Sequence, residues 1–440
     1  TLFVSCGDFL EPKSQSEYSP KDISSLNELI LGEAIPAAYH KDRFITGILS
    51  LLDDDITCNP YMNPGSGTNF YEDTKFLGVK AVYTWQPQYS RDLLERGFNR
   101  YDMYSSYYEY IMGCNAALDY LDKVSGTVEE KNYVKAQALS LRGFYYLQLV
   151  NIFGMPYNKD KNALGVPIKT ISEFENRPMV RNTVQEVYRQ IERELLEAGS
   201  IFAELPATKQ WERNFRPSLP MTQLILARMY LYMENWDKVA QYSSKVMNDW
   251  SFSLLNIESL PPVTSTSGPY YNFKTYESPE TIWAFGSTSS DMFLYARHKF
   301  ISPKQNNTMF KASDDLLNSF SDGDLRKDSY IVKEKVMVNG KNLYRPFGKI
   351  ALTSANDPST DNTKFGHAFR VSEAILMYAE AKAVLYKNGN GAAKADAVSA
   401  LNKLREKRFA SAKYAPIPDM DADNLIKFVR EERRRELCFE

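Results

Sequence analysis

The sequence predicts a mainly α-helical protein built from tetratricopeptide-like helix hairpins, with long loops and minor β-structure. Residues 133–156 are apolar around most of a helical circumference, which is typical of a helix with neighbours on several sides. Two later stretches, after Pro217 and after Phe369, each read as a pair of helices. The stretch between those pairs, residues 251–369, lacks helical periodicity and contains short β-like runs.

Residues 133–156 are expected to form the central helix. Its apolar positions recur at helical spacing: Val134, Ala138, Leu141, Tyr145 and Leu149. Gly143 lies mid-helix, where glycine costs about 1 kcal/mol against alanine, so another helix is expected to approach it closely. Gly154 and Pro156 are expected to end the helix.

Three helix hairpins are predicted. In the first, the central helix pairs with one that begins at a capping box, Thr183 with Glu186 three residues later, and ends near Gly199. The second contains a tetratricopeptide-like order of residues: Ala227, Tyr230, Trp236 and Ala240. The third joins residues 372–381 to residues 395–408. Irregular spacing between the pairs predicts a modified array and not a regular solenoid.

Further helices are expected at residues 20–52, 101–124 and 425–440. In the second of these, one side is predicted to pack: Tyr104, Tyr108, Ile111, Asn115 and Leu118. The third alternates acids and arginines, and Glu431 and Arg435 stand at i,i+4 spacing. This pattern favours a salt-bridged surface over a basic patch.

Two stretches combine turn residues with aromatic residues, namely residues 53–89 and 251–300. The first is predicted to be a long loop, and its three consecutive acids, from Asp53 to Asp55, could hold a hard cation, although solvated acid runs are more common. In the second, residues 281–285 read as a strand with Trp283 in the core. The nearby Tyr270, Tyr271 and Phe273 are expected to be freer to meet a ligand.

Composition excludes several classes of function. A net charge of −2 gives no electrostatic footprint for nucleic acid. The four cysteines show no metal-ligand or CxxC spacing, and a Cys58–Cys114 disulfide remains open. Only three histidines are present, and no motif of a nucleophilic or metal hydrolase occurs. Neither a cofactor nor a metal site is predicted, and a helical-barrel glycosidase is the enzyme alternative.

Several motifs resemble the SusD/RagB family. Residues 141–156 read Leu-Arg-x-Phe-Tyr-Tyr-x-Gln-Leu-Val-Asn-x-Phe-Gly-x-Pro, and residues 429–440 contain Glu-Arg-Arg-x-Glu-Leu-x-Phe-Glu. Ser5 before Cys6 and the run after it are similar to the lipoprotein start of that family. The resemblance covers residues 6–440, and its helical motifs carry information on fold more than on ligand.

The resemblance implies a cell-surface lipoprotein of the outer membrane, anchored through lipid on Cys6. Such a protein binds oligosaccharide or polysaccharide and delivers it to a SusC-like TonB-dependent transporter, without catalysis. The expected organisation is a signal-peptide end at residues 1–6, an N-terminal region at 7–205 and a C-terminal region at 206–440, in one compact domain. A peptide-binding RagB-like lipoprotein is the alternative, followed by a cytosolic helical-repeat scaffold.

The ligand site is predicted where the two aromatic loop stretches meet, because loops on a rigid scaffold commonly carry binding residues. Trp85 is preferred, since indole offers the largest stacking face. The alternative for Trp85 is a core residue at the entry to the next helix. The other candidates are Tyr83, Tyr270, Tyr271 and Tyr295, with Asn69 as polar partner.

Overall fold

The computed structural model describes residues 20–37, 48–58, 74–97, 102–173, 178–260, 273–286, 297–298, 307–308, 310–335, 342–345 and 365–440. Within these ranges the chain is mainly helical, as predicted. The helices are α1 (Ile23–Leu29, continued by a π-helical turn, Ile30–Ala34), α2 (Thr74–Tyr83), α3 (Tyr89–Glu95), α4 (Met103–Tyr120), α5 (Val128–Phe153), α6 (Val184–Glu204), α7 (Ala207–Gln210), α8 (Leu219–Tyr232), α9 (Trp236–Asn248), α10 (Asp314–Ser319), α11 (Arg326–Tyr330), α12 (Val371–Lys387), α13 (Ala393–Glu406) and α14 (Ala422–Leu437).

Eight short strands form two-stranded antiparallel ribbons in the described ranges. The strands are β1 (Ile56–Cys58), β2 (Thr281–Phe285), β3 (Arg297–His298), β4 (Asn307–Thr308), β5 (Phe310–Ala312), β6 (Val332–Lys335), β7 (Asn342–Arg345) and β8 (His367–Arg370). They pair as β1 with β5, β2 with β8, β3 with β4 and β6 with β7. The predicted strand at residues 281–285 is confirmed. Trp283 is fully buried there and donates its indole N–H to the carbonyl of Phe215 at 2.9 Å.

Helix α5 is the central helix, as its apolar circumference predicts. It starts five residues before the predicted stretch, at a capping box formed by Thr127 and Glu130, and Gly154 caps its end. Helices α4 and α6 both pack on it. Gly143 permits the approach of α6, because an added Cβ would lie 2.9 Å from Leu195 Cγ.

Two details of the predicted N-terminal helices are wrong, the end of α6 and the position of Tyr104 in α4. Helix α6 runs on to Glu204, so Gly199 lies inside the helix and does not cap it. The capping box at Thr183 is present as predicted. In α4 the buried face includes Tyr107 and Tyr110, whereas the predicted Tyr104 is 37% exposed. Ile111 and Asn115 of the predicted side are fully buried, and the buried side extends to Tyr110, which stacks on Tyr145 of α5 with ring centroids 5.2 Å apart.

The second and third predicted hairpins are present as α8–α9 and α12–α13. Helix α12 packs against α9, α13 and α14, which joins the hairpins into one helical layer. Arg228 of α8 forms two hydrogen bonds with Glu373 of α12, at 2.5 and 2.6 Å. A charged contact of this kind between two hairpins fixes their relative position.

A buried ionic cluster joins α14 to the ribbon β2–β8, to α11 and to Arg408. Glu436 of α14 contacts three guanidinium groups, at 2.9 Å from Arg408, 3.1 Å from Arg370 and 3.4 Å from Arg326. Glu280 pairs with Arg370 at 2.8 Å and with Arg408 at 2.6 Å. The side chains of these five residues are fully buried. Each charge therefore faces an opposite charge in the absence of solvent.

The prediction of a salt-bridged surface for residues 430–437 is therefore wrong for half of the helix. Glu432 and Glu436 point inward, and Arg435 pairs with Glu432 at 2.9 Å instead of Glu431. Glu431 faces Lys427 at 3.9 Å on the exposed side. The charged run does not reveal which of its acids are buried, because the arginines that pair with the inner acids come largely from distant segments.

Cys58, Cys114 and Cys438 are free thiols. The Cys58–Cys114 disulfide that the sequence allowed is therefore not formed. Cys114 is fully buried in α4. None of the helices among the described residues combines the length and the apolarity that a membrane span requires.

Candidate ligand-binding surface

The predicted loop at residues 53–89 is more ordered in its described parts than expected. It contains the strand β1 and the helix α2, and it ends where α3 begins. The helix went unrecognised because turn residues dominate the start of the stretch. Its buried residues Val79 and Val82 stand three positions apart, which is the signal that could have found it.

Trp85 follows α2 in a Schellman turn, at the position that glycine usually occupies. The N–H of Gln86 donates to the carbonyl of Ala81 at 2.8 Å, and the N–H of Trp85 donates to that of Val82 at 2.9 Å. Trp85 has a φ of 56°, in the left-handed region. After α12 the same turn is made by Gly389, with a φ of 101°.

The left-handed conformation at Trp85 is strained, and the ring is exposed. For a residue with a Cβ this conformation costs roughly 1–2 kcal/mol. The side chain is 64% exposed, so burial of the ring does not offset this cost. The core alternative for Trp85 is therefore wrong. A strained residue that presents an apolar ring to solvent is a candidate for ligand contact.

Tyr83 lies in the last turn of α2 and is partly buried. Its ring centroid is 5.1 Å from that of Phe310 in β5. Burial raises the pKa of its hydroxyl, and Thr57 and Cys58 of β1 lie close enough to influence that pKa. These contacts make Tyr83 the link between α2 and the β1–β5 ribbon, while Trp85 two residues later stays free to meet a ligand.

The acid run precedes β1 and is held by an arginine from α14. Asp55 Oδ1 lies 2.6 Å from Arg434 Nε, and the Asp55 N–H donates to Asp53 Oδ1 at 3.0 Å. Burial, together with the neighbouring Asp55 charge, raises the pKa of Asp53 to about 6. No group of three or more acidic, histidine or cysteine side chains placed to hold a metal ion occurs among the described residues.

The structure describes two of the predicted site residues, Tyr83 and Trp85, and brings them together at the end of α2. The other candidates lie outside the described residues: Asn69, Tyr270, Tyr271, Tyr295 and the anchor Cys6. Phe273 is described, and its prediction as a freer loop aromatic is wrong. It is 1% exposed and packs edge-on against Tyr330, with centroids 5.1 Å apart.

Sequence reasoning missed Phe310 and Arg434 as neighbours of this surface, and it gave no sign that Asp55 pairs with Arg434. Phe310 opposes Cys58 in the β1–β5 register. Its strand lies beyond the second predicted stretch, so composition alone did not point to it. Arg434 stands 379 positions from Asp55, a separation at which no local pattern gives a signal.

Two family models match the chain. A SusD-like family model, described as starch-binding and associating with the outer membrane, matches residues 8–231. A model described as the SusD family matches residues 335–440. No curated protein sequence matches the chain.

Solved structures have the same fold. A SusD-like carbohydrate-binding protein from Bacteroides vulgatus is 23% identical with a TM-score of 0.67, and the match covers 96% of this chain and 82% of that one. A SusD superfamily protein from the same organism is 17% identical with a TM-score of 0.71, covering 96% and 86%. Surface glycan-binding protein A from Bacteroides thetaiotaomicron, in complex with laminarihexaose, is 16% identical with a TM-score of 0.61, covering 95% and 88%.

Proposed function

Because the chain belongs to the SusD family, we propose that it binds an oligosaccharide or polysaccharide at the cell surface, with Trp85 as the stacking platform. The observation that carries this proposal is the exposed ring of Trp85 in a strained turn. A sugar ring has apolar C–H faces that stack on indole, and the indole N–H can bond a hydroxyl. The glycan complex of one structural relative supports this ligand class.

Binding without bond cleavage is the second part of the proposal. The bound glycan is passed to a SusC-like TonB-dependent transporter in the outer membrane, and lipid on Cys6 holds the protein there. The family description, which associates the protein with the outer membrane, supports this placement. Tyr83, Asn69, Tyr270, Tyr271 and Tyr295 remain proposed contributors, with Tyr83 acting mainly through its support of the Trp85 turn.

The test is a glycan array followed by calorimetry on the glycan that the wild type binds most tightly. Trp85→Gly removes the ring and keeps the left-handed turn. We expect it to weaken binding by about 1–3 kcal/mol, the scale for base stacking on aromatic side chains. Folding stability should stay constant or rise by roughly 1 kcal/mol, because glycine relieves the strain.

Glu234→Gly is the matched control. Glu234 has the same φ of 56° and the same pair of turn hydrogen bonds after α8. It should gain stability as Trp85→Gly does and keep the wild-type affinity. Wild-type affinity in Trp85→Gly would contradict the assignment of Trp85. Hydrolysis of the bound glycan would contradict the proposal of binding alone.

A further inference from the structure

The Trp85 turn is connected to the distant helix α14 by a short series of contacts. We propose that Arg434 of α14 is a positioning residue for ligand binding, which fixes the Trp85 turn through Asp55 and the β1–β5 ribbon. The inference rests on the proposed function of Trp85, and it adds a residue outside both aromatic stretches.

The first contact is the ion pair of Arg434 with Asp55. Arg434 Nε and Asp55 Oδ1 are 2.6 Å apart, and the Asp55 side chain is 6% exposed. The carbonyl of Asp55 accepts the N–H of Ser313 at 2.8 Å. Asp55 thus joins α14 to the segments that lead into β1 and out of β5.

The second contact runs from the ribbon to α2. In the ribbon Cys58 opposes Phe310, and Thr57 opposes Lys311. The Tyr83 ring packs on Phe310 of β5, with ring centroids 5.1 Å apart, and Thr57 and Cys58 of β1 lie close enough to the Tyr83 hydroxyl to influence its pKa. The end of α2 is therefore fixed to the ribbon through the ring of Tyr83 on Phe310, beside the β1 residues Thr57 and Cys58.

The third step is the turn itself. Trp85 stands two residues after Tyr83, and its backbone is determined by hydrogen bonds to the last turn of α2. A left-handed residue with a Cβ persists only while the surrounding structure holds it. Movement of Tyr83 on the ribbon therefore changes where the indole points.

The charges around Arg434 explain why this residue matters to the ribbon. Asp55, Asp315 and Asp53 all act electrostatically on Arg434, and Asp54 adds to the negative charge at Asp53. Loss of the guanidinium removes the positive charge that these carboxylates share, so the repulsion among them is less compensated. The ribbon should then open from its Asp55 end. The raised pKa of Asp53 is consistent with this crowding.

Hydrogen exchange measured by mass spectrometry tests the inference without a ligand. The variant is Arg434→Gln, and the matched control is Arg430→Gln one turn earlier on α14. Arg430 pairs with Glu380 at 2.9 Å, so it also loses a charge contact, but away from the ribbon. We expect the N–H groups of Trp85 and Gln86 to exchange about tenfold faster in Arg434→Gln, which corresponds to about 1.4 kcal/mol of local opening.

In the control, exchange at these positions should stay at the wild-type rate. Arg434→Lys keeps a cation and should recover part of the protection. Asp55→Asn should raise exchange as Arg434→Gln does, and the double variant should add little, because both remove one interaction. Equal exchange at Trp85 in Arg434→Gln and Arg430→Gln would overturn the inference.

Iodide quenching and ligand binding complete the test. The Trp85 signal is the difference in fluorescence between each protein and the same protein carrying Trp85→Phe. Iodide quenching of this signal should change in Arg434→Gln and stay at the wild-type level in Arg430→Gln. Glycan affinity should fall in the same variant while the melting temperature stays close to that of Arg430→Gln. The proposed function is judged separately, on Trp85→Gly with Arg434 intact, so failure of one proposal is not failure of the other.

Discussion

Arg370 Nη1 and Glu436 Oε1 lie 3.1 Å apart, with both side chains fully out of solvent. This pair joins strand β8 to helix α14 inside the core. Because Arg326 and Arg408 also contact Glu436, its carboxylate neutralises part of the charge on three guanidinium groups. Its pKa is held well below its ordinary value, since the arginine charges outweigh the effect of burial.

The first prediction concerns this carboxylate. Glu436→Gln leaves buried arginine charge uncompensated, so the free energy of unfolding should fall by about 3–5 kcal/mol. Glu431→Gln on the exposed side of the same helix should change it by less than about 1 kcal/mol. Urea unfolding followed by circular dichroism measures both. Equal losses in the two variants would mean that the cluster contributes no more than a surface pair.

The second prediction concerns pH. Burial and the Asp55 charge raise the pKa of Asp53 from 3.8 to about 6, so folding favours its protonated form. Its contribution to stability is complete below pH 3.8 and is lost as the pH rises through about 6. Asp53→Asn should therefore stabilise the protein at pH 7 by about 3 kcal/mol, at 1.36 kcal/mol for each pKa unit.

At pH 3.5 the stability difference between Asp53→Asn and wild type should be close to zero, because the wild-type carboxyl is then mostly protonated in both states. Thermal unfolding of both proteins across that pH range provides the measurement. A gain of the same size at both pH values would assign the effect to packing and not to titration.

The third prediction compares two glycines in one helix hairpin. Gly143→Ala places a Cβ 2.9 Å from Leu195 Cγ. The resulting strain is expected to destabilise the protein by about 1–3 kcal/mol. Gly199→Ala meets its nearest side-chain atom at 3.9 Å, so it should stabilise the protein by up to about 1 kcal/mol through helix propensity.

A double-mutant cycle with Leu195→Ala tests the cause of this difference. If the α5–α6 distance is responsible, Gly143→Ala should cost less in the Leu195→Ala background than in the wild type, because the smaller side chain makes room for the new methyl group. Chemical denaturation gives all three free energies. Stabilisation by Gly143→Ala would contradict the close approach of the two helices.

The fourth prediction concerns the anchor. Cys6→Ala should release the protein from the outer membrane and leave its fold, because stable attachment of a lipoprotein depends on its acyl chains. Fractionation of cells that express the full-length precursor gives the readout, with a Cys438→Ala variant as a control for loss of a thiol. Persistence of Cys6→Ala in the outer-membrane fraction would locate attachment elsewhere.

Local patterns predicted most of the helical scaffold. The Thr183 capping box and the glycine at position 143 are signals that depend on only a few neighbouring residues. The α5–α6 hairpin could therefore be predicted from them. The tetratricopeptide-like order of Tyr230 and Trp236 likewise located a hairpin whose turn is short. These signals need no knowledge of distant segments.

The candidate site was less predictable for two physical reasons. Whether Trp85 is core or exposed depends on the left-handed turn after α2, and an indole at a position usually taken by glycine gives no warning of it. The positions of Glu432 and Glu436 depend on arginines from other segments, so the charged run looked like a surface. Long-range partners decide burial, and spacing along one helix does not reveal them.

The contact between Asp55 and Arg434 also has a consequence for the order of folding. Closing a loop across 379 positions costs roughly 5 kcal/mol of chain entropy, from (3/2)RT ln n. Hairpins such as α5–α6 join neighbouring segments and can form early, whereas the ribbon gains its arginine only once α14 has docked. The Trp85 turn should therefore be among the last parts of the molecule to acquire its final conformation, so a partly folded chain has its helical scaffold before it can bind.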